Sequence, residues 1–495
     1  MSNLLIAPMI IPIMTAVILV FLRDNVRMQR LISLVTMGVI VLISIFLLIE
    51  VQANGIMRLD FSGWMPPFGI LFVGDQLALL LVTVASVVTA ACLIYAFSTI
   101  GEAHEKMFFY PFVLMLIAGV NGSFLTGDIF NLFVCFEVML LASYVLVALG
   151  GGKRQLRESL KYVLINVVAS WMFLVALAYL YGAVGTLNMA HISLRVAEAG
   201  QDPVLTTISL VFLIFFSLKA GLLLFFWLPG SYSVPPTSVA ALFAALLTKV
   251  GMYALIRTFT LMFPLQQDVT HTIIGVMAVV TLLAGMIGAM GGRDVKTIAT
   301  YNVIIGVGFI MLGLAIANEQ AFIGMTYYLM HDMVAKALLF LCIGTMVYLT
   351  GETIVKNMSG LIRNYPVFGW IYFLCLCALV GIPPLSGFIG KVLIGQGAIT
   401  GGNYVLLAVG FISSIAVLYS LLRIFLASFF GETIIVLEDE VPIRKGMMGS
   451  LVLLAACIVF LGLGANYMMP FVEAAAAVLV DPSIYIDAVL PQGHD

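Results

Sequence analysis

About fourteen stretches of this chain are apolar over lengths that match the hydrocarbon thickness of a bilayer, which takes roughly 20 residues of helix to cross. They fall at 4–22, 31–50, 76–98, 108–126, 128–149, 159–184, 206–228, 236–257, 271–290, 298–317, 321–350, 366–400, 403–430 and 447–470. In lipid every backbone N–H and C=O must find a partner within the protein, so segments of this length can only be helices. The runs therefore predict an all-α polytopic membrane protein with about 14 transmembrane helices. A composition of 63% hydrophobic and 9% charged residues, with a mean hydropathy of +1.18, exceeds what any water-soluble core needs. The net charge of -2 excludes the basic surface that nucleic acid requires. The run 4–22 has no basic residue before it and no small-residue cleavage site after it, so it reads as a first span rather than a signal peptide.

Two segments cannot continue a regular helix: LPGSYSVPP at 228–236, between the runs 206–228 and 236–257, and GIPPLSGFIGK at 381–391, inside the run 366–400. Proline and glycine free backbone groups that lipid cannot satisfy, so both breaks must sit in protein or line a wet cavity. These are the two broken helices of the expected fold. The turn-rich stretch Gly55–Gly74 is expected to fold as a cap on the bundle.

The chain also resembles itself. KYVLINVVASWMFLVALAYLYG (161–182) is similar to TYYLMHDMVAKALLFLCIGTMV (326–347) at an offset of 165, pairing Tyr162 with Tyr327. VGMYALIRTF (250–259) is similar to AVLYSLLRIF (416–425) at an offset of 166, pairing Tyr253 with Tyr419 and Arg257 with Arg423. The unit contains five helices, and an odd unit repeated in tandem must be inverted across the membrane. The expected organisation is an N-terminal three-helix region (1–107), a first five-helix repeat (108–265), a second, inverted repeat (266–430), and a C-terminal helix and tail (431–495). Alternate loops carry Arg23, Arg27 and Arg30; Lys106; Lys153, Arg154, Arg157 and Lys161; Arg293 and Lys296; Lys356 and Arg363; Arg444 and Lys445. The other loops hold little beyond Arg58, Arg195 and Arg257, so the positive-inside bias puts both termini on the outer face.

Six ionisable side chains fall well inside the apolar runs: Glu137, Lys219, Lys249, His331, Lys336 and Lys391. A lysine at bilayer depth costs roughly 2.5–3.5 kcal/mol on insertion scales, and such residues mark ion or proton paths. Glu137 and Lys219 read as mid-span, too deep for their charges to reach the interface. Desolvation favours a neutral amine and a nearby carboxylate favours the ammonium, so moving the two together or apart loads and unloads a proton. A row of such sites joined by water makes a lateral relay. Asp75, Asp128 and Asp332 lie at expected span ends or beside other charges, where they serve equally as helix caps or as relay entrances. Arg423 reads as an anchor or an ion-pair partner. The six cysteines lie in apolar runs and are read as packing residues, and Gly306–Gly313 as helix-packing glycines. No metal, phosphate-loop or nucleophile motif is present, so no cofactor and no covalent chemistry are expected.

WLPGSYSVPPTSVAALFAALLTKVGMYALIR, the FEVMLLASY segment around Glu137, and GIPPLSGFIGK resemble the antiporter-like proton-channel subunits. These are shared by Mrp-type sodium/proton antiporters, respiratory complex I and membrane-bound hydrogenases. The resemblance covers most of the chain, and the LLTKVGMYALIR wording is most similar to the Mrp branch. It implies a glutamate on the fifth helix, matched by Glu137, paired with a seventh-helix lysine, matched by Lys219. It implies an eighth-helix lysine, matched by Lys249, and an eleventh-helix histidine/lysine region, matched by His331 and Lys336. The charge implied in the broken twelfth helix is matched by Lys391. The implied function is proton translocation within a multisubunit antiporter complex of a bacterial plasma membrane handling H+ and Na+, a secondary transporter rather than an enzyme. The alternative is the same relay driven by electron transfer in a redox complex.

Overall fold

The computed structural model describes residues 2–200, 202–433 and 440–490. Met1 and 491–495, on which the expected placement of the termini bears, and 434–439 within the expected C-terminal region lie outside the described residues. Among those described, twelve helices are long and apolar enough to cross a membrane. Two further expected spans are also present. Phe109–Leu125 is shorter than these, and 366–400 is divided into two helices.

In chain order the helices are α1 (Ala7–Phe21), α2 (Val26–Asn54), α3 (Gln76–Thr99), α4 (Phe109–Leu125), α5 (Ile129–Ala148), α6 (Lys153–Val184), a short surface helix α7 (Met189–Ala199), and α8 (Pro203–Ala220). There follow the short α9 (Leu228–Ser233), α10 (Thr237–Met262), α11 (Gln267–Gly291), α12 (Val295–Ile316), α13 (Glu319–Thr350), α14 (Pro366–Val380) and α15 (Ser386–Thr400). α16 (Tyr404–Phe429), α17 (Lys445–Leu463), α18 (Ala465–Val480) and α19 (Ser483–Val489) complete the chain, the last two meeting at 90°. The expected cap contains a two-stranded antiparallel sheet, β1 (Met57–Asp60) with β2 (Leu71–Gly74), in the register Met57–Gly74 to Asp60–Leu71. The helices past residue 470, where the last apolar run ends, are an addition to the expected fold. Arg58 donates to the Val489 carbonyl at 2.6 Å, fastening α19 to that sheet.

The bundle is layered by burial. Every residue from Ser238 to Met262 is buried, and α13 is buried over most of its length and packs on α3, α10, α12, α14, α15, α17 and α18. α1, α2, α6 and α16 form part of the perimeter and present Leu42, Phe46, Trp171, Tyr179 and Val405 outward, as lipid contact requires. Lys249 and Arg257 on α10 and His331, Asp332 and Lys336 on α13 are therefore enclosed by protein.

Element positions recur 166 residues apart. α6 and α13 are both 32 residues long and begin at Lys153 and Glu319. Asp128 caps α5 and bridges to Asn188; Asp294 caps α12 and bridges to Ile354. Gly119 on α4 lies against the backbone of Met139, and Gly285 on α11 against that of Ile305, the matching position. In this register Tyr162 corresponds to Tyr328, one residue on from the partner that the letters favour.

Both expected breaks are present, and one comes earlier than the sequence indicates. α8 stops at Ala220, because Gly221 takes a left-handed conformation (φ 76°) and Trp227 Nε1 donates to the Leu218 carbonyl at 3.0 Å. The apolar run itself continues to 228. The second break follows Gly381 (φ 89°), between α14 and α15.

Candidate functional site

Lys219 stands in the last turn of α8 and not in mid-span, since the helix ends one residue later. Its ammonium is buried and donates to Asn166 Oδ1 (3.1 Å), to the Asn166 carbonyl (3.3 Å) and to Ser170 Oγ (3.4 Å). The Ser170 hydroxyl in turn donates to Glu137 Oε1 from the middle of α5. Glu137 and Lys219 are thus joined through one hydroxyl instead of touching. Neither Asn166 nor Ser170 stands out in the sequence, where each is a single polar residue in an apolar helix. The phenyl ring of Phe215 lies 5.6 Å from the same ammonium.

α10 carries Lys249 between two π-turns, Phe243–Leu247 and Thr258–Met262. Such wide turns displace backbone carbonyls from the regular ladder, and Lys249 Nζ donates to one of them, Ala244 O, at 2.8 Å. Gly251 lets α10 approach α8 closely: a Cβ there would lie 2.5 Å from the Ala220 backbone nitrogen. The helices bearing Lys219 and Lys249 therefore meet beside both lysines.

Lys249 Nζ also lies 2.7 Å from Asp332 Oδ2 on α13, and Lys336 Nζ lies 3.4 Å from Asp332 Oδ1, one turn along the same helix. Lys249 and Asp332 are fully buried and Lys336 nearly so. Asp332 is therefore neither a cap nor near a helix end; it is the counter-ion between two lysines. Gly306 on α12 makes room for it, since a Cβ at that position would lie 2.7 Å from Asp332 Oδ1. Gly308 and Gly313 instead abut Leu282 and Met325, as helix-packing glycines do.

His331 Nδ1 and Ser386 Oγ are 2.7 Å apart, which ties α13 to the first residue of α15. Lys391, on α15, reaches back across the break and donates to the last carbonyls of α14, Leu379 O (3.0 Å) and Val380 O (2.9 Å), and to Ser414 Oγ (2.8 Å). Unpaired carbonyls at a helix C-terminus carry partial negative charge, so an ammonium suits this place. A narrow crevice between α12, α15 and α16 reaches the same side chain.

The other expected candidates lie apart from this row. Asp75 caps α3 and forms a buried ion pair with Arg257, whose guanidinium also lies over the rings of Tyr253 and Tyr485. Arg257 is thus no loop charge, because α10 runs five residues past it. Asp128 caps α5 by accepting from the Asn131 amide at 2.7 Å. Arg423 has no carboxylate partner among the described residues and donates to the carbonyls of Met290 and Gly292. Among the described residues no direct contact joins Lys219 to Lys249 or Lys336 to Lys391.

Fold and buried charge together define a multi-pass helical membrane protein with ionisable groups threaded through its core. Residues 126–416 match the family described as "NADH:quinone oxidoreductase/Mrp antiporter, TM", and the chain belongs to this family. It is 42% identical over 498 residues to the D subunit of the Na(+)/H(+) antiporter of Bacillus subtilis (strain 168), covering 99% of this chain and 100% of that one. It superimposes on a chain of the Mrp complex from Dietzia sp. DQ12-45-1b with a TM-score of 0.92 at 28% identity, over 99% of both. A chain of the membrane-bound sulfane sulfur reductase, an archaeal respiratory membrane complex, matches with a TM-score of 0.91 at 25% identity over 99% of both.

Proposed function

We propose that this chain is the proton-translocating component of a multisubunit Mrp-type sodium/proton antiporter in a bacterial plasma membrane, with both termini on the outer face. Protons pass along Glu137, Lys219, Lys249, Lys336 and Lys391, with His331 beside the last step and water completing the gaps. Residues 108–265 and 266–430 act as two inverted units related by the 166-residue offset. Asp75 and Asp128 remain the candidates for openings to the faces, whereas Asp332 belongs to the row itself.

The observation that carries this reading is the Lys249–Asp332–Lys336 array, which links α10 of the first unit to α13 of the second without contact with lipid. Isolated, such charges would be costly to bury; paired and adjacent, they are positioned to exchange protons. Similarity over the full length to the D subunit of an antiporter favours exchange over a redox drive. The likeness to a respiratory complex keeps the same relay available to a redox-driven assembly. Purification of the intact complex from its native membrane and identification of the other subunits decides between the two. In vesicles containing that complex, Lys219→Ala is expected to abolish Na+-dependent proton movement while the complex still assembles; full exchange by that variant would remove the relay.

A further inference from the structure

The four lysines of the row are of two kinds. Lys249 and Lys336 share the Asp332 carboxylate. Lys219 and Lys391, each beside a helix break, touch no carboxylate among the described residues and lie over aromatic rings. Lys219 has one ring, that of Phe215. Lys391 has two: its Nζ stands 5.4 Å from the ring centroid of Phe309 on α12 and 5.8 Å from that of Tyr328 on α13. The two rings adjoin, with centroids 4.8 Å apart and planes inclined at 50°. All three side chains are buried.

Glycines seat both rings against the amine. A Cβ at Gly390, next to Lys391 on α15, would lie 2.7 Å from Tyr328 Cβ, so bare backbone lets α15 close on that ring. A Cβ at Gly410 on α16 would come 3.2 Å from Phe309 Cε2, and one at Gly381, at the break, would meet Lys391 Cδ at 2.9 Å. The recurrence at 166 residues supplies a contrast. The positions matching Phe309, Tyr328 and Lys391 are Ser143, Tyr162 and Phe225. There Ser143 Oγ and the Tyr162 hydroxyl are 2.9 Å apart, a hydroxyl pair in place of a ring pair. The lysine and the second ring thus occur together at one set of positions and are missing together from the other.

The negative face of an aromatic ring attracts a cation but offers no lone pair to take its proton. Burial acts against an ammonium, and the charged groups that bear on this one are Asp332, Lys336 and, when protonated, His331, all on α13. The other helices packed on α15 are α12, α14, α16 and α17, and none holds a carboxylate. Their charged residues, Lys296, Arg423 and Lys445, lie toward the ends nearest the basic loops, and their other titratable groups are thiols and phenols. We propose that Phe309 and Tyr328 are positioning residues for the step at Lys391, their ring faces standing in for a counter-ion that holds the ammonium without offering it a base. The proposal rests on the relay reading above and adds to it how one member keeps its charge where no carboxylate reaches. Loss of a ring makes the amine harder to protonate, so exchange then needs more acid.

The test uses the whole complex in sealed vesicles, with Na+-dependent proton movement followed against pH. Phenylalanine analogues bearing one, two or three ring fluorines, placed at Phe309, keep the shape of the ring and drain its negative face by steps. The pH–rate profile is expected to move stepwise toward acid while the complex assembles as before. Phe309→Leu and Tyr328→Leu are each expected to move it by about one pH unit, the size of one ring–cation contact. Tyr328→Phe, which keeps the ring, should leave the profile in place. The fluorine series decides the matter if the leucine variants fail to assemble. A profile indifferent to fluorination, or one that Tyr328→Phe moves as far as Tyr328→Leu, would overturn the ring role. Lys391→Ala measured alongside separates the two readings. If it is inactive while the fluorine series keeps the wild-type profile, only the ring role fails; if it exchanges fully, the relay through Lys391 fails.

Discussion

Lys249 on α10 and Asp332 on α13 form an ion pair of 2.7 Å in which neither side chain reaches the surface. A second ammonium, Lys336, shares the carboxylate at 3.4 Å. Removing one member of a buried pair leaves an uncompensated charge at a cost of about 3–5 kcal/mol, whereas removing opposite members together costs far less. Asp332→Asn is therefore expected to lower the thermal unfolding temperature of the complex in detergent. Adding Lys249→Met is expected to restore part of that loss, since Lys336 stays without its carboxylate, while vesicle exchange stays absent in both. Recovery of exchange along with stability in the double variant would mean that the array only holds α10 and α13 together.

Gly306 is where the carboxylate is most sensitive to a single methyl group. Gly306→Ala places a carbon 2.7 Å from Asp332 Oδ1, so the carboxylate must shift away from at least one lysine. Over-packing of this kind costs about 1–3 kcal/mol. The expectation is a complex that assembles and unfolds slightly earlier, with exchange reduced far more than stability. Gly38→Ala, which meets nothing within 4 Å, is the control and should change neither.

The Ser170 hydroxyl stands between Lys219 and Glu137, accepting from one and donating to the other. Ser170→Ala preserves both charges and removes the bridge. Proton flux in vesicles is expected to fall about a hundredfold, at the lower end of what one positioned proton-transfer group contributes, and Ser170→Thr, which keeps the oxygen, should retain most of it. An unchanged flux in Ser170→Ala would show that the two charges communicate by another route.

Asp75 and Arg257 lie away from the row and should behave as a clamp. Arg257 stacks over Tyr485 of α19 at 5.2 Å, and Arg58 holds the end of the same helix. Arg257→Ala is expected to destabilise by about 3–5 kcal/mol and to expose α19 to limited proteolysis. Double replacement by Arg257→Met and Asp75→Leu should recover much of the stability but leave α19 more readily cleaved than in the unaltered chain. Unchanged protease resistance in both would remove the clamp.

The bundle is legible in the sequence because hydrophobic run length reports directly on span, and the buried charges are legible because each is expensive where it stands. What the sequence conceals is local. The end of α8 at Ala220 follows from a left-handed Gly221 in a stretch that otherwise reads as continuous, which puts Lys219 at a helix terminus instead of mid-span. Arg257 reads as a loop residue because the π-turn that prolongs α10 leaves no trace in hydropathy. Asp332 reads as a candidate opening beside His331, since a partner as distant in the chain as Lys249 cannot be inferred from neighbours. Ser170, Asn166 and Ser414 carry no signal at all, for a lone serine or asparagine in an apolar helix most often bonds to its own backbone.

Counting donors gives Lys391 a further significance. An ammonium has three N–H bonds, and three acceptors surround this one: the carbonyls of Leu379 and Val380 and the hydroxyl of Ser414. A neutral amine has two. Were this nitrogen to lose its third hydrogen, the two that remain would serve the carbonyls at the frayed end of α14, and its lone pair would accept from the Ser414 hydroxyl, reversing that one bond. The charge on this nitrogen is thereby coupled to the direction of a single hydroxyl on α16, across the break between α14 and α15.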